Sequence, residues 1–145
     1  MQPSEPEQVF VELEWYDGPR AGIANVNGVA HRFTSNFDEN EDEYTGTFNV
    51  WPINEPDFAR EIEQWRIFVD WNKQYELGKT DTSTHPGVGG INARWDELDA
   101  MLENSRTSIP SSVRVAKAII SPLEEQSRYE YSGPDYMLMW HFLPE

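Results

Sequence analysis

The sequence contains no cysteine. This excludes a disulfide framework, a thiolate metal site and a cysteine nucleophile, because each of them needs a thiol. No apolar run approaches the roughly 20 residues that a helix needs to cross a bilayer. The start of the sequence also lacks the basic and apolar regions of a signal peptide. We therefore expect a cytoplasmic protein without membrane segments.

Basic residues are few. Eleven Lys and Arg stand against 26 Asp and Glu, which gives a net charge of −15 at pH 7. So negative a surface repels phosphate backbones and anionic lipid head groups, and we predict no direct binding of nucleic acid or membranes. The acidity has two open interpretations, a functional charge or an adaptation to solubility and salt.

Aromatic residues are abundant, at 13% of 145 residues, and this content is enough for one folded domain. Residues 1–8 carry Pro and Glu without an apolar pattern, and we predict that they are disordered. Residues 9–145 are predicted to form a single α+β domain.

The first half of the domain alternates apolar and polar residues with the period of a strand. Asn27 and Gly28 are typical of a two-residue hairpin turn, in which both positions need a positive φ. The pattern predicts an antiparallel meander of four strands, over 9–16, 23–26, 29–34 and 44–53.

Two helices and two further strands follow. Asn54 is a suitable N-cap and Gly78 a suitable stop for the first helix, and the second begins near Ile91. Strands are predicted over 113–120 and 136–143, the last inside the sheet because both its faces are apolar, with a polar loop at 124–134. The fold class is therefore α+β, a largely antiparallel sheet in the order ββββααββ with two helices packed on one face.

The strand and helix periods also predict the core. The positions expected to be buried between sheet and helices are Val11, Leu13, Trp15, Ile62, Trp65, Val69, Trp95, Leu98 and Leu102.

The hairpin at Tyr16, Asp17 and Arg20 is the first candidate binding site. A planar guanidinium held in a rigid turn beside aromatic rings can bind a carboxylate or a phosphate. The alternative is an ordinary turn whose arginine is paired internally, with Asp17 or Glu14.

The same hairpin carries a resemblance. With the Asn27–Gly28 turn, the string His31, Arg32 and Phe33, and a Trp-rich helix, it resembles a group of small uncharacterised bacterial proteins. The resemblance implies a bacterial single-domain protein and supplies no activity.

The acidic loop is the second candidate site. Its carboxylates are Asp38, Glu39, Glu41, Asp42 and Glu43. Their spacing is not that of an EF-hand, which has Gly at its sixth position and Glu at its twelfth. The loop is either solvated or a negative patch for a basic partner protein.

The three histidines, His31, His85 and His141, do not have the short spacing of a helical metal site. We therefore predict no metal and no cofactor. Sequence motifs for a nucleophile elbow, a kinase or a zinc peptidase are also absent.

Two apolar residues of the first helix, Ile67 and Trp71, fall on the side opposite its apolar stripe. If the helix packs with one face only, both lie in water and form a contact with another chain. The alternative is that the second helix or the C-terminal segment covers them.

These observations favour a small interaction module whose acidic surface steers a basic partner protein, as an immunity protein, an inhibitor or a nucleic-acid mimic does. Two alternatives belong to other classes. One is an enzyme with a pocket between sheet and helices that uses Asp17, Arg20 and His31. The other is an acidic subunit of a homo-oligomer.

Overall fold

The computed structural model describes residues 5–124 and 126–144. The strands are β1 (Glu7–Trp15), β2 (Pro19–Val26), β3 (Val29–Asp38), β4 (Glu43–Pro52), β5 (Arg114–Pro122), β6 (Tyr129–Glu130), β7 (Gly133–Pro134) and β8 (Tyr136–Phe142). The helices are α1 (Glu55–Glu76) and α2 (Ala93–Thr107), joined by a connection that contains two short 3-10 turns. Within the described ranges, no helix is long and apolar enough to cross a membrane.

Six strands form a closed barrel in the order β1-β2-β3-β4-β5-β8, and every neighbouring pair is antiparallel. The helix pair lies on one side of it, where α1 contacts β1 and α2 packs on α1. The α+β class, the order of elements and the internal position of β8 are confirmed. The closure of the sheet was not predicted, and the predicted loop 124–134 contains the small hairpin β6–β7.

The barrel closes through the N-terminal end of β1. Glu7 pairs with Leu138 and Gln8 with Met137. The Gln8 amide also donates to the Ser132 carbonyl at 2.8 Å. Backbone and side-chain bonds thus hold these two residues, which belong to the segment predicted to be disordered. Residues 1–4 of that predicted segment lie outside the described residues.

Local signals placed the turn and the helix start correctly. Asn27 and Gly28 have φ of 52° and 79°, as the hairpin turn between β2 and β3 requires. The Asn54 side chain accepts a hydrogen bond from the Asp57 amide at 2.8 Å and caps α1.

The core has two parts. Inside the barrel, Phe33 makes edge contacts with Phe48 and Trp140 at centroid distances of 5.8 and 5.7 Å. Between the barrel and α1, a second cluster contains Val11, Ile23, Trp65 and Val69.

Most of the predicted core is buried. Val11, Trp65, Val69, Leu98 and Leu102 are buried, and Ile62 and Trp95 are half-buried. The prediction is wrong for Leu13 and Trp15, which are 38% and 46% exposed. The register between β1 and β2 shifts after Glu12 and again after Glu14, so the simple alternation of buried and exposed positions ends there.

Candidate functional site

The β1–β2 hairpin holds Arg20 by internal contacts. Its Nε donates to the Tyr16 carbonyl at 2.7 Å and its Nη2 to the Asp17 carbonyl at 3.2 Å. The guanidinium lies 3.7 Å from the centroid of the Tyr44 ring. The arginine is thus paired within its own turn, as the alternative interpretation predicts, but with backbone carbonyls and not with carboxylates.

The acidic loop is the tight connection between β3 and β4. Asp38 belongs to β3 and Glu43 to β4, and the two residues pair across the hairpin, so the loop is shorter than predicted. The Asp38 carboxylate accepts the Asn40 and Glu41 amides at 2.9 and 3.2 Å.

The structure brings the hairpin and the acidic loop together at one end of the barrel. Antiparallel pairing of β2 with β3 places the start of β2 beside the end of β3. The resulting shallow depression is lined by Glu14, Trp15, Tyr16, Asp17, Arg20, Phe37, Asp42, Glu43 and Tyr44, and we name it the acidic–aromatic surface. Two further predicted residues, Glu39 and Glu41, are exposed on the same connection.

His31 lies elsewhere. His31 pairs with Ala24 of β2. The residue that pairs with Ala21, next to Arg20, is Thr34, three residues further along β3. Three strand residues span about 10 Å. The His31 Nδ1 lies 2.7 Å from the Val29 carbonyl. Asp17 and Arg20 thus line the acidic–aromatic surface, and His31 is not among its lining residues.

Trp71 is partly covered by the connection between the helices. Its Nε1 donates to the Thr84 hydroxyl at 2.9 Å, its ring stacks on Tyr75, and His85 contacts it at 4.6 Å. Ile67 is also half-buried, beside Trp71 in a groove that this connection helps to line. The expectation that a single chain leaves both residues in water is wrong, because the connection between the helices reaches back over α1.

A cavity lies between β1, α1, the connection, α2 and β6, in the place where the enzyme alternative expects a pocket, but Asp17, Arg20 and His31 do not line it. It has a volume of about 380 Å³. We name it the aromatic cavity, since its lining includes Trp15, Trp65, Phe68, Trp95 and Tyr129 together with the polar residues Glu12, Glu14, Glu61, Gln64, His85, Asp99 and Arg106. Glu14 and Trp15 belong to this cavity and to the acidic–aromatic surface.

Glu61 is the fully buried carboxylate of the cavity. Its Oε2 accepts from Arg32 Nη1 at 2.6 Å and from Arg106 Nε at 2.9 Å, while its Oε1 accepts from Arg106 Nη2 at 2.6 Å. Burial alone lowers the pKa of Arg106, but its bonds to Glu61 and Asp99 raise that pKa above the ordinary value. The arginine therefore stays charged and neutralises the carboxylate.

Gln64 and Asp99 extend this network across the two helices. The Gln64 amide donates to Asp99 Oδ1 at 2.8 Å and to the Trp95 carbonyl at 3.2 Å. Arg106 donates to the same Asp99 oxygen at 3.0 Å. These bonds fix the distance between α1 and α2 and hold the walls of the cavity in place.

Glu12 is a further carboxylate of the cavity that has partners. Its Oε1 accepts from Arg128 at 2.8 Å and from the Tyr136 hydroxyl at 2.9 Å, and its Oε2 accepts from the Tyr129 hydroxyl at 3.2 Å. Burial and then the charge of Glu12 raise the pKa of Tyr129, so this hydroxyl stays protonated and donates.

The aromatic walls are packed edge to face. Phe68 contacts Tyr129 at 4.9 Å, and Trp65 contacts Tyr129 at 5.6 Å. His85 lies 6.2 Å from Trp95, and its Nδ1 accepts the Gly87 amide at 2.9 Å. Burial lowers the pKa of His85, and this favours the neutral ring with its proton on Nε2.

No protein-family model matches the sequence, and no curated protein or solved structure is significantly similar to it. The resemblance to small bacterial proteins stays a prediction. Among the residues that the structure describes, no group of three or more His, Asp or Glu is arranged to hold a metal ion.

Proposed function

We propose that the protein is a small cytoplasmic interaction module that binds a basic partner protein through the acidic–aromatic surface. The observation that carries the proposal is the meeting of the hairpin and the acidic loop at one end of the barrel. Immunity proteins, inhibitors and nucleic-acid mimics are the kinds of module that act in this way.

Exposed aromatic rings give this surface the character of a binding site. Tyr16 is 68% exposed, and Trp15 and Phe37 are each nearly half exposed. Burial of such rings on a partner releases water from a large apolar area, and Trp and Tyr are enriched at binding hot spots.

The charges around the rings favour a partner of positive charge. The lining holds the four carboxylates of Glu14, Asp17, Asp42 and Glu43 against the single cation of Arg20. Arg20 already contacts two carbonyls and the Tyr44 ring, so it has few donors left for an anion. A basic partner gains from these carboxylates and from the −15 net charge, which accelerates its association.

A displayed library of random peptides tests this proposal, because it samples basic and acidic sequences alike. The wild-type protein should enrich peptides that combine Lys or Arg with apolar residues, and moderate salt should weaken their binding. The variant Tyr16→Ala/Asp42→Asn/Glu43→Gln should lose this enrichment.

The matched control removes two carboxylates outside the surface, in Glu103→Gln/Glu124→Gln, and should still enrich basic peptides. If the surface variant enriches the same peptides as the wild-type protein, the site lies elsewhere. If no basic peptides are enriched at low salt, the proposed partner class is wrong.

A further inference from the structure

The aromatic cavity has the size and shape of a ligand site. Its volume of about 380 Å³ lies within the range of about 300–1,000 Å³ that is typical of small-molecule pockets. The edge residues Leu13 and Trp15 stay largely exposed although the strand pattern marks them as core. A bound apolar body would remove this surface from water.

The walls of the cavity favour positive charge over negative. The faces of aromatic rings carry negative electrostatic potential and attract cations within about 6 Å of the ring centroid. Trp65, Phe68 and Trp95 supply rings from both helices. The rings of Trp15 in β1 and Tyr129 in β6 already attract a cation, since the Arg128 guanidinium lies 4.8 and 4.5 Å from their centroids. Direct ring contacts hold three of these rings, those of Trp65, Phe68 and Tyr129, against one another.

The distribution of charge in the cavity points the same way. The guanidinium groups of Arg32, Arg106 and Arg128 pair with the carboxylates of Glu61, Asp99 and Glu12, so these six charges balance. At the edge, Glu14 is exposed and has no hydrogen-bond or ion-pair partner within the described part of the chain. Asp99 also lies at the edge, with its side chain 48% exposed, but its charge is paired with that of Arg106. The cavity thus has a neutral interior and a negative entrance.

We propose that the aromatic cavity binds a small organic cation, a substituted ammonium group on a compact apolar body. The entrance carboxylates attract the cation, and the rings replace part of its hydration shell. The ion pairs and hydrogen bonds behind the rings hold them in place before binding, so little ordering is needed when the ligand enters. An anion would meet the entrance carboxylates, and a neutral molecule would gain only from burial.

Choline and its neutral isostere 3,3-dimethylbutan-1-ol separate charge from shape, because they differ only by a quaternary nitrogen in place of a carbon. Both are titrated into ¹⁵N-labelled protein while the tryptophan indole signals are followed by NMR. Choline should shift the signals of Trp15, Trp65 and Trp95 saturably, with an affinity at least about tenfold higher than that of the alcohol. The signals of Trp51 and Trp140 should not move.

Two variants place the effect in the cavity. Trp95→Leu should weaken choline binding about tenfold, whereas Phe37→Leu, which changes an exposed ring outside the cavity lining, should leave it unchanged. Glu14→Gln leaves the packing intact. It should weaken the binding of choline about two- to threefold at low salt and leave the binding of the alcohol unchanged.

Three results would overturn the proposal. The first is equal affinity for choline and for the alcohol, which would make the cavity a purely apolar site. The second is the absence of saturable shifts up to roughly 20 mM choline. The third is shifts confined to Trp51, Trp71 or Trp140, which would place binding elsewhere.

Discussion

The Glu61 carboxylate lies 2.6 Å from the Arg32 guanidinium, and the two side chains are 0% and 3% exposed. Arg32 is in the barrel wall and Glu61 is in α1, so this ion pair connects the barrel directly to the helix pair. Arg106 completes the cluster from α2. Arginines of β3 and α2 thus share one buried carboxylate of α1. This carboxylate holds the helix pair against the barrel and supports one wall of the aromatic cavity.

Glu61→Gln should reduce the free energy of unfolding by about 3–5 kcal/mol, because it leaves the buried charge of Arg32 without its carboxylate and removes one of the two carboxylates of Arg106. Urea denaturation measures this change. The control Glu63→Gln breaks the exposed pair with Arg94 and should have little effect. If Glu61→Gln is as stable as the wild-type protein, the arginines reach water and the cluster does not connect barrel and helices.

Trp65→Ala should cost about 3–5 kcal/mol of stability, because the ring is 4% exposed and lies in the cluster between barrel and α1. It also removes the hydrogen bond from Trp65 Nε1 to the Glu130 carbonyl at 2.7 Å. Trp15→Ala, at the open edge of the cavity, should cost less than half as much. Similar thermal melts for the two variants would contradict the division into core and cavity edge.

Gly133→Ala should destabilise the fold more than Gly46→Ala, although both residues have a positive φ. A Cβ at Gly133 would lie 1.9 Å from the Val9 carbonyl oxygen, so β1 and β7 must separate. At Gly46 nothing lies within 4 Å, and only the backbone strain of about 1–2 kcal/mol remains. Chemical denaturation of both variants checks the order, and the reverse order would mean that β7 does not lie against β1.

The sequence was a reliable guide wherever one short segment decides the structure. Asn27 and Gly28 need no distant partner to form their turn, and Asn54 caps a helix within its own first turn. The closure of the barrel depends instead on Gln8 meeting Met137, and no local pattern encodes a pairing between residues so far apart.

The residues that line the aromatic cavity were missed for a related reason. Glu61 precedes Trp65 and Phe68 by four and seven residues and therefore shares their helix face. A charged residue on a buried face was the available signal, but its partners Arg32 and Arg106 lie 29 and 45 residues away. Only the fold shows that the carboxylate is neutralised and that the rings beside it line a cavity.

The protein should not bind duplex DNA or RNA directly. Binding to a phosphate backbone gains its free energy from counterions released by Lys and Arg, whereas here 26 acidic residues outnumber 11 basic ones. A mobility-shift titration at low salt is the most permissive measurement, because low salt maximises such binding. Saturable binding at micromolar protein concentrations would show that the acidic residues leave a basic surface free.

Choline affinity should fall several-fold as the pH is lowered from about 7.5 through the lowered pKa of His85, while the affinity for 3,3-dimethylbutan-1-ol stays constant. Burial lowers the pKa of His85 below its ordinary value of 6.5, so the ring is neutral at the upper pH. As the pH falls through that lowered pKa, the ring gains a positive charge in the cavity wall. Protonation of Nδ1 also removes its bond from the Gly87 amide. The new positive charge opposes a cationic ligand and leaves the neutral alcohol unaffected.

His85→Asn separates this effect from the other ionisable groups that face the cavity, which are Glu12, Glu14, Glu61, Asp99, Arg106 and Tyr129. The variant should bind choline with little pH dependence over the same range, because the titrating ring is gone. A wild-type dependence that persists in His85→Asn would assign the titration to one of the carboxylates. A new positive charge on His85 repels a cation and attracts an anion. The direction in which the ligand affinity of the wild-type protein changes at low pH therefore tests which sign of charge the cavity accepts.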